Sequence, residues 1–326
     1  MKRFEYIQPE KLSEASKALG ENWEKALPFA GGTDLYGMLK HELVQPDKIV
    51  NLKGLSGMDK IEYSQKSGLK IGALVKISQL IKHEVIREKY PVLHQAASEV
   101  ASPQLRNMGT IGGNLCQRPR CWYFRGDFHC LRKGGDICYA VDGENKYHCI
   151  IGGSPCFIVH PSDTAVALLA LDAQLTIENQ KTNKTIPLKE FFVLPEKNIL
   201  RENILHPGDI ITSIIVPNLP KNTSSAYIKV KERGAWDFAI VSMAAVIQNS
   251  GPMIQSGKIA FGGVAPIPWL DERLSSRLKN LPVSRQNINL LKDDVLTDAA
   301  PLEKNGYKHT LAKNLTTRML ENLTTI

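Results

Sequence analysis

Six cysteines, Cys116, Cys121, Cys130, Cys138, Cys149 and Cys156, fall within one stretch of this 326-residue chain. Thiolates gathered in this way can hold Zn²⁺ or an iron-sulfur cluster, and softness alone does not choose between them. Zinc sites usually pair their ligands two to four residues apart, whereas these spacings are wide, which disfavours a zinc finger. A [4Fe-4S] cube is larger and tolerates widely spaced ligands. Between positions 116 and 138 the basic residues Arg118, Arg120, Arg125, Arg132 and Lys133 outnumber Asp127 and Asp136. Positive charge of this kind favours the reduced form of a cluster. His129 and His148 share the loop, and for both the plain expectation is a partly exposed loop histidine. A loop this long and irregular needs its own reason to be ordered, and a metal centre supplies one.

Two glycine pairs, Gly31-Gly32 and Gly112-Gly113, offer a second kind of chemistry. A Gly-Gly turn between a strand and a helix lets backbone amides approach a ligand closely, and such amides suit a pyrophosphate. Thr33 and Asn114 stand ready to add side-chain hydrogen bonds. Neither pair has the G-x-G-x-x-G spacing, which argues against a Rossmann site; together they suggest a dinucleotide held differently. Taken singly, each pair reads as a tight structural turn, Asp163 as a helix N-cap and Lys229 as an exposed strand lysine. Asp237 has no partner carboxylate or histidine at useful spacing, and no Ser/His/Asp order, H-E-x-x-H or P-loop occurs.

The elements that must position these groups follow an α+β order. Leu12, Ala15 and Leu19 share a helical face behind Pro9. Strands are expected at 26–29, 48–52 and 69–74, with a helix from Leu35, a helix over 79–83 capped by Ser78, and another starting at Pro91. Beyond the cysteines the pattern predicts a strand at 157–159, an apolar helix over 164–171 capped by Ser162-Asp163, and a strand at 210–216 closed by Pro217. Residues 218–223 read as a linker, followed by strands at 227–231, 240–248 and 258–261 and helical C-terminal segments.

Composition narrows the class. With 43% hydrophobic residues, collagen-like, disordered and low-complexity readings are out, and the length allows two or three domains. The longest apolar run is about seven residues, against the ~18 a membrane span needs. The N-terminus lacks the apolar stretch of a secretory signal, so the expected compartment is the cytoplasm, where thiols stay reduced. The net charge of +8 is spread along the chain, and suits solubility and steering of an acidic partner better than nucleic-acid binding.

Seven segments in order carry a family resemblance. They are Pro28-Phe29-Ala30-Gly31-Gly32-Thr33-Asp34-Leu35, Thr110-Ile111-Gly112-Gly113-Asn114-Leu115, His160-Pro161-Ser162-Asp163, Gly208-Asp209-Ile210-Ile211, Tyr227-Ile228-Lys229-Val230, Arg233-Gly234-Ala235-Trp236-Asp237-Phe238-Ala239 and Phe261-Gly262-Gly263-Val264-Ala265-Pro266. Spanning nearly the whole chain, they resemble the FAD-binding medium subunit of the molybdenum hydroxylases, the xanthine dehydrogenase and aldehyde oxidoreductase family. The resemblance implies a two-subdomain FAD-binding domain of the vanillyl-alcohol oxidase (PCMH) type over 1–55 and 56–218, with an insert at 116–156, and a C-terminal α+β domain of the CO dehydrogenase flavoprotein type over 223–326. It implies that Leu27, Pro28, Phe29, Ala30, Gly31, Gly32, Thr33 and Asp34 wrap the FAD pyrophosphate, and that Thr110, Ile111, Gly112, Gly113 and Asn114 form a second wall. Asp163 matches the acidic FAD contact, Ile210 or Ile211 packs near the isoalloxazine, and Lys229 matches the basic residue near the ring. Leu270 stands near a place where the family often has an arginine, in a segment expected to be scaffold.

Most medium subunits lack the cysteine insert. The stretch 117–125 looks most like the insert of periplasmic-type aldehyde oxidoreductases, which, like 4-hydroxybenzoyl-CoA reductase, carry a [4Fe-4S] cluster there. That match implies Cys121, Cys130, Cys138 and Cys156 as ligands and leaves Cys116 and Cys149 as buried free thiols. By the same resemblance, a large molybdenum-cofactor subunit oxidises the substrate and a small [2Fe-2S] subunit feeds electrons to this FAD. An acceptor such as a ferredoxin then drains it. A signal on a partner subunit could export the folded complex. Two rival readings remain at this stage: a stand-alone flavin oxidoreductase, and a basic zinc-binding interaction module.

Overall fold

The computed structural model describes residues 1–324, which build three sheets. The first is parallel, with strands β1 (Glu5–Ile7), β2 (Ala26–Phe29) and β3 (Lys48–Asn51) in the order β1-β3-β2. Helices Leu12–Leu19 and Leu35–Lys40 make the crossovers that parallel pairing requires. Ala15 and Leu19 are the buried apolar face of the first helix, and Leu35, Met38 and Leu39 close a small core on Ile49.

The second sheet is antiparallel, with β4 (Ile61–Ser64), β5 (Gly68–Gly72), β6 (Gln174–Glu178), β7 (Asn183–Pro187) and β8 (Ile210–Val216) in the order β4-β5-β8-β6-β7. Six of the seven residues of β8 are buried, as a central strand covered on both faces demands. The path between β5 and β6 leaves the sheet, and it holds both the second glycine pair and the cysteines. The third sheet comprises β9 (Thr223–Val230), β10 (Val241–Ser250), β11 (Met253–Gly262), β12 (Trp269–Leu270) and β13 (Leu281–Pro282). Its strands run antiparallel, and the C-terminal helix Tyr307–Thr324 lies against β10.

One helix ties the second and third sheets together. All eight residues of Asp163–Ala170 are buried, and the helix packs between β10 and β11 on one side and helix Pro91–Ser98 on the other. Gly262 of β11 permits that close approach: a Cβ there would stand 2.7 Å from Val166 Cγ2. Truncating the fully buried Leu168 to alanine should cost roughly 2–5 kcal/mol.

Four local expectations are corrected. Residues 157–159 form no strand; Phe157 O accepts from Cys149 N at 3.1 Å, and the following residue, His160, donates its amide to Ala265 O at 3.0 Å. Ser78 lies inside helix Ile77–Lys82, where Lys76 is the N-cap and Gln79 Oε1 accepts the Lys76 amide at 2.8 Å. Gly112 and Gly113 are not in a turn but in the short helix Ile111–Leu115, capped by Thr110 Oγ1 at 3.2 Å from Gly113 N. The linker expected over 218–223 ends one residue early, since β9 already begins at Thr223, and Asn218 Nδ2 ties it to Gln65 O at 2.9 Å.

Candidate functional site

β2 delivers the chain into Gly31-Gly32-Thr33-Asp34 and from there into helix Leu35–Lys40. Gly32 has φ +71°, the left-handed region that glycine enters without strain. A Cβ on Gly31 would lie 2.3 Å from Met108 O and 2.8 Å from Gly109 Cα, so this loop rests directly on the backbone that leads to Thr110. The two glycine segments are thereby one construction. Among the described residues nothing accepts a hydrogen bond from the amides of Gly31, Gly32, Thr33 or Asp34. Four unpartnered amides in sequence are what an anionic ligand such as a pyrophosphate would satisfy. Gly112 has a different reason to be glycine: its Cβ would press on Ala73, 2.9 Å from Cβ and from the carbonyl oxygen.

Behind this loop lies a buried polar network. Asn114 Oδ1 accepts from Ser162 Oγ at 2.6 Å and Thr164 Oγ1 at 2.5 Å, and Ser162 Oγ caps the next helix at Ala165 N (3.0 Å). Asp163 Oδ2 meets Lys229 Nζ at 2.8 Å, and Oδ1 takes the Tyr227 hydroxyl at 2.6 Å. Burial pushes the Asp163 carboxyl upward, while the Lys229 charge and both hydrogen bonds pull it back. Lys229, expected to be an exposed strand lysine without the resemblance, has a side chain only 1% exposed. Alternation along β9 turns Tyr227 and Lys229 to the same face, so one carboxylate reaches both. Tyr227 escaped sequence reasoning as a site residue, although its place two residues before Lys229 was visible.

These groups surround a cavity of about 900 Å³. Every residue the resemblance assigned to FAD lines it except Phe29 and Ile111. The Phe29 ring instead packs beneath Gly32 and the Lys53 ammonium, 4.6 Å from its centroid, and Ile111 is wholly inside the core. Ile210 and Ile211, 2% and 6% exposed, form apolar wall. The volume lies near the top of the range for small-molecule sites, as a dinucleotide needs. The unpartnered amides, the apolar wall and the paired Asp163 and Lys229 together fit FAD.

The cysteine insert is ordered by buried charge. Asp34 accepts the Arg118 amide at 2.9 Å, Arg125 Nη2 at 2.8 Å and lies 3.1 Å from Arg120 Nη2. The Asp34 carboxylate therefore anchors the insert to the glycine loop. Glu202, another residue missed from sequence, is 4% exposed in its side chain and pairs with Arg118 Nε at 3.0 Å and with Arg132 Nη2. From the third sheet's helix, Lys308 Nζ donates to Tyr147 O at 2.8 Å and Gly263 O at 2.7 Å, and burial brings it down to about 7. Asn305 Nδ2 holds the carbonyls of His148 and Cys149 at 3.2 and 3.1 Å.

Within this frame Cys121, Cys130, Cys138 and Cys156 are neighbours. The Cys138 and Cys156 thiols act on each other, which lowers the first and raises the second. Cys121, raised to about 11 by burial, is acted on by Cys138 and Cys130. Cys116 answers to Glu202 instead, and burial pushes it up to about 12. Cys149 is fully buried beside Lys308 and also feels Cys138. His129 is exposed, whereas His148, expected to be partly exposed, is 5% exposed and stands 3.3 Å from Cys121 Sγ through Nε2. No three His, Cys, Asp or Glu side chains among the described residues close on one point as a single ion requires. A four-iron cube spreads its thiolates more widely, so this soft donor set suits a cluster better than a lone zinc.

Residues 2–219 match the family described as FAD binding domain in molybdopterin dehydrogenase, and residues 225–323 match the CO dehydrogenase flavoprotein C-terminal domain. The chain belongs to the FAD-binding medium subunits of the molybdenum hydroxylases. It is 38% identical, over 96% of both chains, to the aldehyde oxidoreductase FAD-binding subunit PaoB of Escherichia coli. With the carbon monoxide dehydrogenase medium chain of Hydrogenophaga pseudoflava it shares 27% identity over 98% of this chain and 96% of the other. Among solved structures, carbon monoxide dehydrogenase from that organism superposes with a TM-score of 0.77 at 24% identity, covering 98% and 96% of the two chains. Quinoline 2-oxidoreductase from Pseudomonas putida 86 superposes with a TM-score of 0.76 at 20% identity, covering 99% and 97%, and like the former it shows the fold alone. As a medium subunit the protein is a component of an oxidoreductase. No helix among its described residues is long and apolar enough to cross a membrane.

One buried histidine gives the fold a pH dependence. His160 accepts the Ser162 amide at Nδ1 (3.4 Å), and burial lowers it to about 4, opposed by Glu202. As pH falls from about 6.5 to about 4, the unfolded chain takes up this proton and the folded chain does not. Stability present above pH ~6.5 is therefore lost through that window, by roughly 3 kcal/mol for this group. Urea melts at pH 7 and pH 4.5 should show a smaller difference for His160→Gln than for the native chain; equal differences would refute the assignment.

Proposed function

We propose that this medium subunit binds FAD and a [4Fe-4S] cluster and passes electrons between a small [2Fe-2S] subunit and an external acceptor such as a ferredoxin. The substrate, an aldehyde, a xanthine-type heterocycle or an aromatic acyl-CoA, is oxidised on a separate molybdenum subunit. The aldehyde class is favoured by the identity with PaoB. The observation that carries the flavin assignment is the single cavity in which both glycine segments, Asp163, Ile210, Ile211 and Lys229 meet. FAD exchanges electrons singly with iron-sulfur groups and in pairs with other acceptors, and that conversion is the chemistry it brings when bound.

The chain's own residues have distinct tasks in this reading. The amides from Gly31 to Asp34 hold phosphate oxygens, Asp163 and Tyr227 fix the Lys229 ammonium at the wall, and Ile210 and Ile211 keep water from the ring. Cys121, Cys130, Cys138 and Cys156 hold the cluster; their proximity and the basic residues about them support it. Purified full chain should show flavin absorbance and about four irons with matching acid-labile sulfide. Cys138→Ser should lose the iron and keep the flavin. Zinc in a colourless protein would establish the interaction-module rival. Substrate should reduce the FAD only in the assembled complex, and turnover by the isolated chain would establish the stand-alone oxidoreductase.

A further inference from the structure

Arg132 is the most deeply enclosed guanidinium for which the structure gives an ion pair, its side chain 1% exposed. It sits on the turn Leu131–Lys133, two residues after Cys130, and only its Nη2 has a partner, the Glu202 carboxylate. Its Nε and Nη1 are buried and donate to nothing. Leaving charged donors unpaired in the interior is costly, so such a group calls for an acceptor.

Arg132 belongs to the wall of the flavin cavity, yet neither orphan nitrogen is accessible from that open space. Cys130, 7% exposed, begins the turn that carries Arg132, its carbonyl accepting from Lys133 N at 2.8 Å and Gly135 N at 3.0 Å, so a group held by the cysteines lies on the buried side of this turn. Arg118 and Arg201 also line the flavin cavity, so that space has cations other than Arg132 on its wall.

We propose that Arg132 is a potential-setting residue of the [4Fe-4S] cluster, its Nε and Nη1 donating to cluster or cysteine sulfur while Glu202 holds the guanidinium in place. The inference rests on the cluster reading above. A donor and a positive charge beside the sulfurs stabilise the more negative, reduced cluster and so raise its midpoint potential. Arg132 does not touch substrate and is not a ligand; it acts through the cluster it faces.

The test is a redox titration of the iron-loaded full chain in complex with its partners, following the cluster by electron paramagnetic resonance and the flavin by absorbance. Arg132→Lys keeps the ion pair with Glu202 but loses the planar fork of donors, and Arg132→Gln removes charge as well. Both should retain iron, acid-labile sulfide and FAD at native stoichiometry. The cluster midpoint should move to more negative potential in Arg132→Lys and further in Arg132→Gln, with the FAD midpoint little changed. If Arg132→Gln fails to accumulate, Arg132→Lys decides alone. An unmoved cluster potential with iron retained overturns the role of Arg132, as does weakened FAD binding with an unmoved cluster, which would assign the donors to the flavin. Absence of iron from the native chain sinks the cluster reading itself, and this inference with it.

Discussion

Gly31→Val is expected to yield a folded chain that purifies with markedly less flavin than the native chain. The new Cβ would stand 2.3 Å from Met108 O and 2.8 Å from Gly109 Cα, both backbone atoms. That backbone has no freedom to retreat, because Gly109 N is bonded to Leu105 O at 2.7 Å and Gly109 O to Ile77 N at 2.9 Å. The glycine loop must therefore move, taking with it the four amides that face the cavity. Relief of such an overlap typically costs about 1–3 kcal/mol. Expressed in the loop's ligand-binding geometry, that is about a tenfold or greater weakening of FAD binding. Gly37→Ala, in the following helix, meets nothing within 4 Å and is the matched control, with FAD content equal to the native chain. Equal FAD content in both variants would show that the 31–34 loop does not hold the cofactor.

The second large effect should come from Lys229→Met. Asp163 would keep the Tyr227 hydroxyl but lose its cation while remaining at the buried start of the helix that joins two sheets. Breaking a buried pair by removing one partner costs about 3–5 kcal/mol, because the other charge is left uncompensated. Asp163→Asn combined with Lys229→Met should recover a good part of this loss, since a neutral amide tolerates the site better. Urea denaturation of the two single variants and the double variant would measure the coupling directly. A Lys229→Met chain within about 1 kcal/mol of the native stability would mean the pair is not the support described here.

Much of the scaffold was legible in local pattern. β2 and β8 lie where strand-forming runs end in Gly and Pro, and the helix Asp163–Ala170 begins at its Ser162 cap. These features depend on residues within a turn or two of one another, so the chain declares them locally. The short strands β1, β4 and β7 were not legible. Each has three to five residues with mostly exposed or half-buried side chains, too little period-two contrast to register. The expected strand at 157–159 failed for another reason: only Ile158 is buried, and the Phe157 carbonyl bonds to the Cys149 amide in a loop, not to a neighbouring strand.

The candidate site divides in the same way. Residue types and motif order were enough to single out the glycine pairs, Asp163, Lys229 and the run of cysteines. Which partner each residue would take was decided only in three dimensions, since Asp34 finds Arg125 and Glu202 finds Arg118 and Arg132 across long stretches of chain. The free energy of a buried charge depends on the groups brought beside it, and no spacing along the sequence encodes that neighbourhood. Sequence by itself thus determined the family, the α+β class and the chemistry on offer. The tertiary structure decided that two glycine segments share one cavity wall, that Asp34 anchors the cysteine insert to it, and that Arg132 is left with two donors to give.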